Sequence, residues 1–251
     1  MEPLYWQIPL LFGVGIVAGI LNVLAGGGSL LTLPLLIFMG LPSAVANGTN
    51  RIAILCQNIF AIRSFRQRGI MPLGLALLCI PPALLGSWVG ASLAINLDDE
   101  LFNRILALIM LGVLLFTLLD PMKHMRTADI SFGWGRTLVL MCSFFGIGIY
   151  GGFVQAGVGF LIITALLIHG LDLVRINAIK VIVIFAYTLV ALGVFILHGQ
   201  INYVLGFVLA AGNSLGGIIG PRLAVDRGHE WIKKVVSITV LVFALKLLLT
   251  P

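Results

Sequence analysis

The chain has 251 residues, 60% of them hydrophobic and 10% charged, with a formal net charge of +6 and a mean hydropathy of +1.15. A soluble domain clothes its surface with roughly 25% charged residues. The composition therefore excludes a soluble enzyme or binding module and implies a polytopic membrane protein, with room for about eight to ten spans of about 20 residues.

The opening Met1-Glu2-Pro3-Leu4-Tyr5-Trp6 lacks a basic n-region, so no cleaved signal peptide is expected. Tyr5 and Trp6 read as an interfacial aromatic belt. Five apolar stretches follow, at 8–24, 29–40, 43–65, 70–95 and 101–119, and five more at 136–154, 158–170, 173–197, 201–225 and 231–249. The second stretch of each set is too short to cross a hydrocarbon core of about 30 Å. Each short stretch follows a glycine-containing break, Gly26-Gly27-Gly28-Ser29 or Gln155-Ala156-Gly157-Val158-Gly159.

The two sets are related. Gly27 recurs 130 residues on as Gly157, Gly40-Leu41 as Gly170-Leu171, Asn47 as Asn177, and Gly69 as Gly199. Gly86-x-x-x-Gly90 recurs as Gly216-x-x-x-Gly220, a spacing that brings helices close together. Loop charges exchange sign between the halves. Arg63, Arg66 and Arg68 mark a cytoplasmic loop, and Asp98, Asp99 and Glu100 an outer one. The later counterparts are His198-Gly199-Gln200, without fixed charge, and a segment carrying Arg227, Lys233 and Lys234. Under the positive-inside rule the second half lies upside down. Both termini then face outward, and each half crosses an odd number of times. Five crossings per half satisfy that count, as do three full spans plus a broken or re-entrant helix hairpin; the short second stretches favour the hairpin. The expected fold is thus an all-α polytopic membrane protein of nominally eight transmembrane segments. It comprises two inverted repeats, 8–119 and 136–249, joined by a cytoplasmic linker at 120–135.

Paired breaks at matching places in inverted repeats point to a transport site. A helix that starts inside the membrane offers free N–H groups and a positive dipole end to an anion. Gly26, Gly27, Gly28 and Ser29 form one candidate cradle, and Gln155 and Gly157 the other. The third stretches add polar faces. Asn47, Asn50, Arg51 and Asn58 share one side of a helix, with Thr49 and Gln57 beside it, and Asn177 and Lys180 stand on the equivalent helix. Arg51 lies roughly 12 Å into the bilayer and Lys180 about 10 Å. A buried cation there costs from about 2.5 to well over 10 kcal/mol, so each needs a cavity, a carboxylate, an anion or the carbonyls of a broken helix. No Asp or Glu interrupts any apolar stretch. The expected substrate-binding residues are therefore Gly26, Gly27, Gly28, Ser29, Asn47, Thr49, Asn50, Arg51, Gln155, Gly157, Asn177 and Lys180.

Other chemistry finds no support. Cys56, Cys79 and Cys142 are scattered singly, and the four histidines are unclustered; buried inert thiols and no metal or cofactor are expected. No nucleophile or metal constellation indicates an enzyme. No basic run is long enough for nucleic acid, and the loop cations serve as topology signals and anionic-lipid contacts. The bilayer and a small anion are the expected partners, with a homodimer compatible with the chain.

The segments Ala25-Gly26-Gly27-Gly28-Ser29-Leu30-Leu31-Thr32-Leu33-Pro34 and Ala46-Asn47-Gly48-Thr49-Asn50-Arg51 resemble the TauE/SafE family of sulfite and organosulfur exporters. So do Gln155-Ala156-Gly157-Val158-Gly159-Phe160 and Asn177-Ala178-Ile179-Lys180. The resemblance covers nearly the whole chain and implies a permease of the cell membrane that exports sulfite or a small sulfonate such as sulfoacetate. Ala156 and Val158 depart from the glycine run of the first break. With no intramembrane carboxylate as a proton relay, the membrane potential is the expected energy source, worth about 2.3 kcal/mol per charge per 100 mV. An anion channel of the same fold and a non-transporting membrane assembly factor are the alternatives.

Overall fold

The computed structural model describes residues 5–24, 26–119 and 133–226. Nine helices account for nearly all of them: α1 (Gln7–Leu24), α2 (Ser29–Phe38), α3 (Ser43–Gln67), α4 (Leu73–Ala94), α5 (Asp99–Leu119), α6 (Trp134–Phe153), α7 (Val158–Leu167), α8 (Leu173–Leu197) and α9 (Tyr203–Asp226). The boundaries follow the apolar stretches closely. The expected stretch at 231–249, the charges at Arg227, Lys233 and Lys234, and most of the 120–135 linker lie outside the described residues.

Among the described residues, four helices, α4, α6, α8 and α9, are long and apolar enough to cross a membrane. The 25-residue α3 has the length but buries Asn47, Asn50, Arg51, Gln57 and Asn58. Leu77, Leu85 and Trp88 of α4, Leu108 and Leu115 of α5, and Phe207 of α9 are exposed, an outer surface suited to lipid rather than water. Cys142 is also exposed and Cys56 half-buried. The expectation of buried thiols thus holds for Cys79 alone, because Cys142 falls on the outward side of α6.

The repeated glycines earn their positions as stops. α2 and α7 each end in a left-handed glycine, Gly40 (φ +92°) and Gly170 (φ +83°). The next amide reaches back in both cases, Leu41 N to Leu36 O at 3.3 Å and Leu171 N to Leu166 O at 3.5 Å. This is the Schellman cap, which a residue without Cβ enters at least cost. Gly69 and Gly199 close α3 and α8 the same way, through Ile70 N to Phe65 O and Gln200 N to Phe195 O.

Two helix pairs carry the closest packing. In α4 against α6, a Cβ on Gly86 or Gly90 would lie 2.1 Å from Phe145 O or 1.9 Å from Ile149 O. In α1 against α9, a Cβ on Gly216 would lie 2.2 Å from Ile16 O. The repeated small-residue motif therefore does bring backbones into contact, as expected. Residue numbers rise together along each pair, Gly15 beside Leu209 and Gly220 beside Val23, and Gly148 beside Ala83 and Gly152 beside Ser87, so the partners run in the same direction. In contrast α3 and α8 run oppositely: Gly48 abuts Phe195 and Gln200 at one end, while Ala61 and Phe65 cluster with Ala178 and Val181 at the other.

α1 and α2 form a hairpin, as do α6 and α7. Thr32 Oγ1 donates to Asn50 Oδ1 at 2.7 Å, and Ser29 and Ile54 line one cavity, so α2 runs back along α3 in the opposite sense. The hairpin tips meet in the centre of the bundle, where a Cβ on Gly26 would lie 2.2 Å from Gly159 Cα.

Candidate functional site

Between the tips lies a small cavity of about 10 Å³, lined by the polar side chains of Asn22, Ser29, Gln57, Asn58, Gln155 and Lys180 and by the apolar ones of Ile54, Val158, Val181 and Ile184. That is about the volume one water requires. Its walls come from both halves of the chain. The N-terminal ends of α2 and α7 border it through Ser29 and Val158. The positive ends of two helix dipoles thus converge on one polar space.

Of the residues expected from the sequence, Gly26, Ser29, Gln155 and Lys180 line this cavity. Lys180 is fully buried. Its Nζ donates to Val23 O at 3.0 Å and to Asn177 Oδ1 at 2.7 Å. Val23 lies in the last turn of α1, where carbonyls are unpaired and the dipole end is negative. Asn177 therefore acts on the site through Lys180.

Arg51 makes the corresponding contact with the other hairpin. It is fully buried, and its Nη1 donates to Gly151 O at 3.1 Å and to Gln155 Oε1 at 3.4 Å. Nη2 donates to Gly152 O and, at 3.3 Å, to Asn47 Oδ1. The guanidinium stacks 4.8 Å from the Phe195 ring centroid, a cation–π contact. Asn47 Nδ2 adds a bond to Phe153 O at 2.6 Å. Each half thus extends a polar helix, α3 or α8, to the carbonyl end of the other half's hairpin. Neither cation meets a carboxylate among the described residues: the ion pairs there are Arg104–Glu100 and Arg175–Asp172, both exposed.

The remaining expected residues serve packing or support. Gly28 N donates to Asn22 Oδ1 at 2.8 Å, and a Cβ added there would lie 2.1 Å from Ala18 O. Gly27 faces the Phe160 ring. Thr49 Oγ1 accepts from Asn202 N at 2.8 Å and ties α3 to the start of α9. Gly157, left-handed at φ +74°, starts α7. It borders a separate apolar cavity of about 240 Å³ between α5 and α7, together with Val113, Tyr150 and Phe160.

Gln155 stands out in its backbone. At φ +61° it is left-handed without being glycine, a conformation costing of order 1–3 kcal/mol that clusters at functional sites. The turn aims its side chain between the halves: Oε1 accepts from Arg51, and Nε2 donates to Thr188 Oγ1 at 2.9 Å.

The expected set omits three polar lining residues. Gln57 and Asn58 belong to the polar side of α3, so periodicity offered a signal for both. Asn22 sits in an otherwise apolar run and gave none, yet it organises the first tip, donating from Nδ2 to Gln57 Oε1 at 3.0 Å and accepting from Gly28 N.

A probable membrane transporter protein of Haemophilus influenzae is 30% identical over 237 residues, covering 92% of this chain and 90% of that one. The probable membrane transporter protein YfcA of Escherichia coli K12 is 29% identical over 250 residues, 98% of this chain and 92% of its own. The probable membrane transporter protein ORF9 of a Sinorhizobium species is 27% identical over 250 residues, with coverage of 97% and 93%. No solved structure matches. The family model described as sulfite exporter TauE/SafE matches residues 11–247, and the chain is a multi-pass membrane transporter of that family.

Proposed function

We propose that the protein exports a small sulfur oxyanion, sulfite or a sulfonate, across the cell membrane by alternating access between two inverted repeats. The carrying observation is the meeting of the two hairpin tips around a cavity lined by Lys180 and several amide side chains, with no carboxylate among its described lining residues. Two helix N-termini, an ammonium group and several amides suit an anion with separate oxygens. The cavity, at about 10 Å³, is far smaller than a sulfur oxyanion, so binding requires the tips to move apart.

The helix directions support inversion. α1 and its counterpart α6 run oppositely, since each lies parallel to a helix of the other half and α3 opposes α8. The reading has eight transmembrane segments, with each hairpin re-entering from its own side and both termini outside. An anion leaving a negative interior gains about 2.3 kcal/mol per 100 mV, so the proposed mechanism is potential-driven uniport.

The test is sulfite flux in proteoliposomes under imposed gradients. Flux should saturate with sulfite, persist without a proton gradient and reverse with the membrane potential. Lys180→Met should lower it at least about tenfold, in protein that still elutes as a folded species. Strict dependence on a proton gradient overturns uniport. Flux linear in substrate indicates a channel, and intact flux in Lys180→Met removes the site from this cavity.

A further inference from the structure

The cavity contains a polar group that the resting structure does not use. Asn58 is 2% exposed and lines the cavity with Ser29, Gln155 and Lys180, yet among the described residues its Nδ2 has no hydrogen-bond partner. Leaving a buried amide donor unpaired costs about 1–3 kcal/mol, and native proteins rarely tolerate it without a reason. Three of its polar neighbours are committed elsewhere. Gln57 accepts from Asn22, Gln155 joins Arg51 and Thr188, and Lys180 engages Val23 O and Asn177. The position 130 residues on is Thr188, whose hydroxyl accepts from Gln155 at 2.9 Å. The second half has thus spent this position on an internal bond, whereas the first half leaves a donor open.

We propose that Asn58 is a substrate-binding residue of the transporter, its amide N–H donating to an oxygen of the bound anion beside the Lys180 ammonium. The proposal rests on the functional reading above and deepens it. An ammonium alone attracts any small anion. A second donor on a different helix favours anions whose oxygens are spaced apart, as in sulfite and sulfonates, over a monatomic ion. Because α3 carries Asn58 and α8 carries Lys180, the anion would bond to both halves at once.

An unpaired donor kept for a ligand predicts opposite effects on stability and binding. Asn58→Val, close in volume and helix propensity and without the amide, should melt at the same or a higher temperature than wild type in anion-free buffer. Its KM for sulfite in proteoliposomes should rise about tenfold or more, the fold-change of one hydrogen bond to an ion. Asn58→Thr keeps a donor of shorter reach and should give an intermediate KM. A merely structural amide predicts the reverse, a lower melting temperature with KM unchanged. Either a destabilised Asn58→Val or a wild-type KM in both variants overturns the assignment. Wild-type protein that transports no sulfur oxyanion overturns the functional reading itself, and the role of Asn58 with it.

Discussion

Gly26→Ala is the sharpest probe of the meeting of the tips. Gly26 is left-handed at φ +76°, and an added Cβ would lie 2.2 Å from Gly159 Cα and 2.9 Å from Gly159 N. Both groups are backbone, so no side chain can swing aside. The tips would have to part by roughly 1.3 Å to reach ordinary carbon–carbon contact of about 3.5 Å. The left-handed alanine costs about 1–2 kcal/mol, and overpacking a tight contact adds about 1–3 kcal/mol. A total near 3 kcal/mol should lower the melting temperature by about 6–12 °C for a chain of this size. Flux should fall further, because separated tips can no longer close the cavity. Gly193→Ala is the control, a glycine within α8 whose added Cβ meets nothing within 4 Å. The assay is thermal unfolding followed by size-exclusion chromatography of detergent-solubilised protein, with sulfite flux in parallel. Wild-type stability and flux in Gly26→Ala would refute the tip-to-tip contact and the cavity built upon it.

Gly90→Ala should destabilise by at least about 2 kcal/mol, because its Cβ would lie 1.9 Å from Ile149 O; thermal unfolding checks it, and a neutral result would dissolve the α4–α6 packing. Asp172 Oδ1 caps α8 by accepting from Val174 N at 3.1 Å and Arg175 N at 2.9 Å, so Asp172→Ala should cost about 1 kcal/mol, read as a melting temperature lower by a few degrees. For topology, single cysteines at Arg66 and Gly199 in a background free of Cys56, Cys79 and Cys142 should label from opposite sides of intact cells. Arg66→Cys should react with impermeant maleimide only after permeabilisation, and Gly199→Cys before it.

Much of the fold was legible because its stops are chemically distinctive. Gly40 and Gly170, then Gly69 and Gly199, end matching helices with one cap geometry, so the repeat and the helix boundaries appear together. The site was legible in part. Periodicity placed Asn47, Asn50, Arg51 and Asn58 on one side of α3, but a helix face does not say which neighbour it meets. Arg51 turns to the carbonyl end of α6 because the carbonyls there offer a buried cation a polar partner where no carboxylate is available among the described residues. Asn58, seven residues on, reaches the cavity. The left-handed turn at Gln155 had no local signal, since glutamine does not ordinarily adopt it; contacts with Arg51 and Thr188, far away in sequence, hold it there. Asn22 was hidden by its apolar surroundings, and its partners at Gly28 and Gln57 became apparent only when the hairpin closed.

The pairing of α1 with α9 has a consequence for how the protein is made. Gly19, near the end of the first helix, packs against Asn213. At roughly 5–20 residues per second of synthesis, α1 waits on the order of 10–40 s before its partner leaves the ribosome. Throughout that interval its small-residue face is uncovered, and Val23 O has yet to meet Lys180. α1 must therefore be sheltered by the insertion machinery or by lipid until α9 exists, so the tip it carries is finished only after both halves have been made.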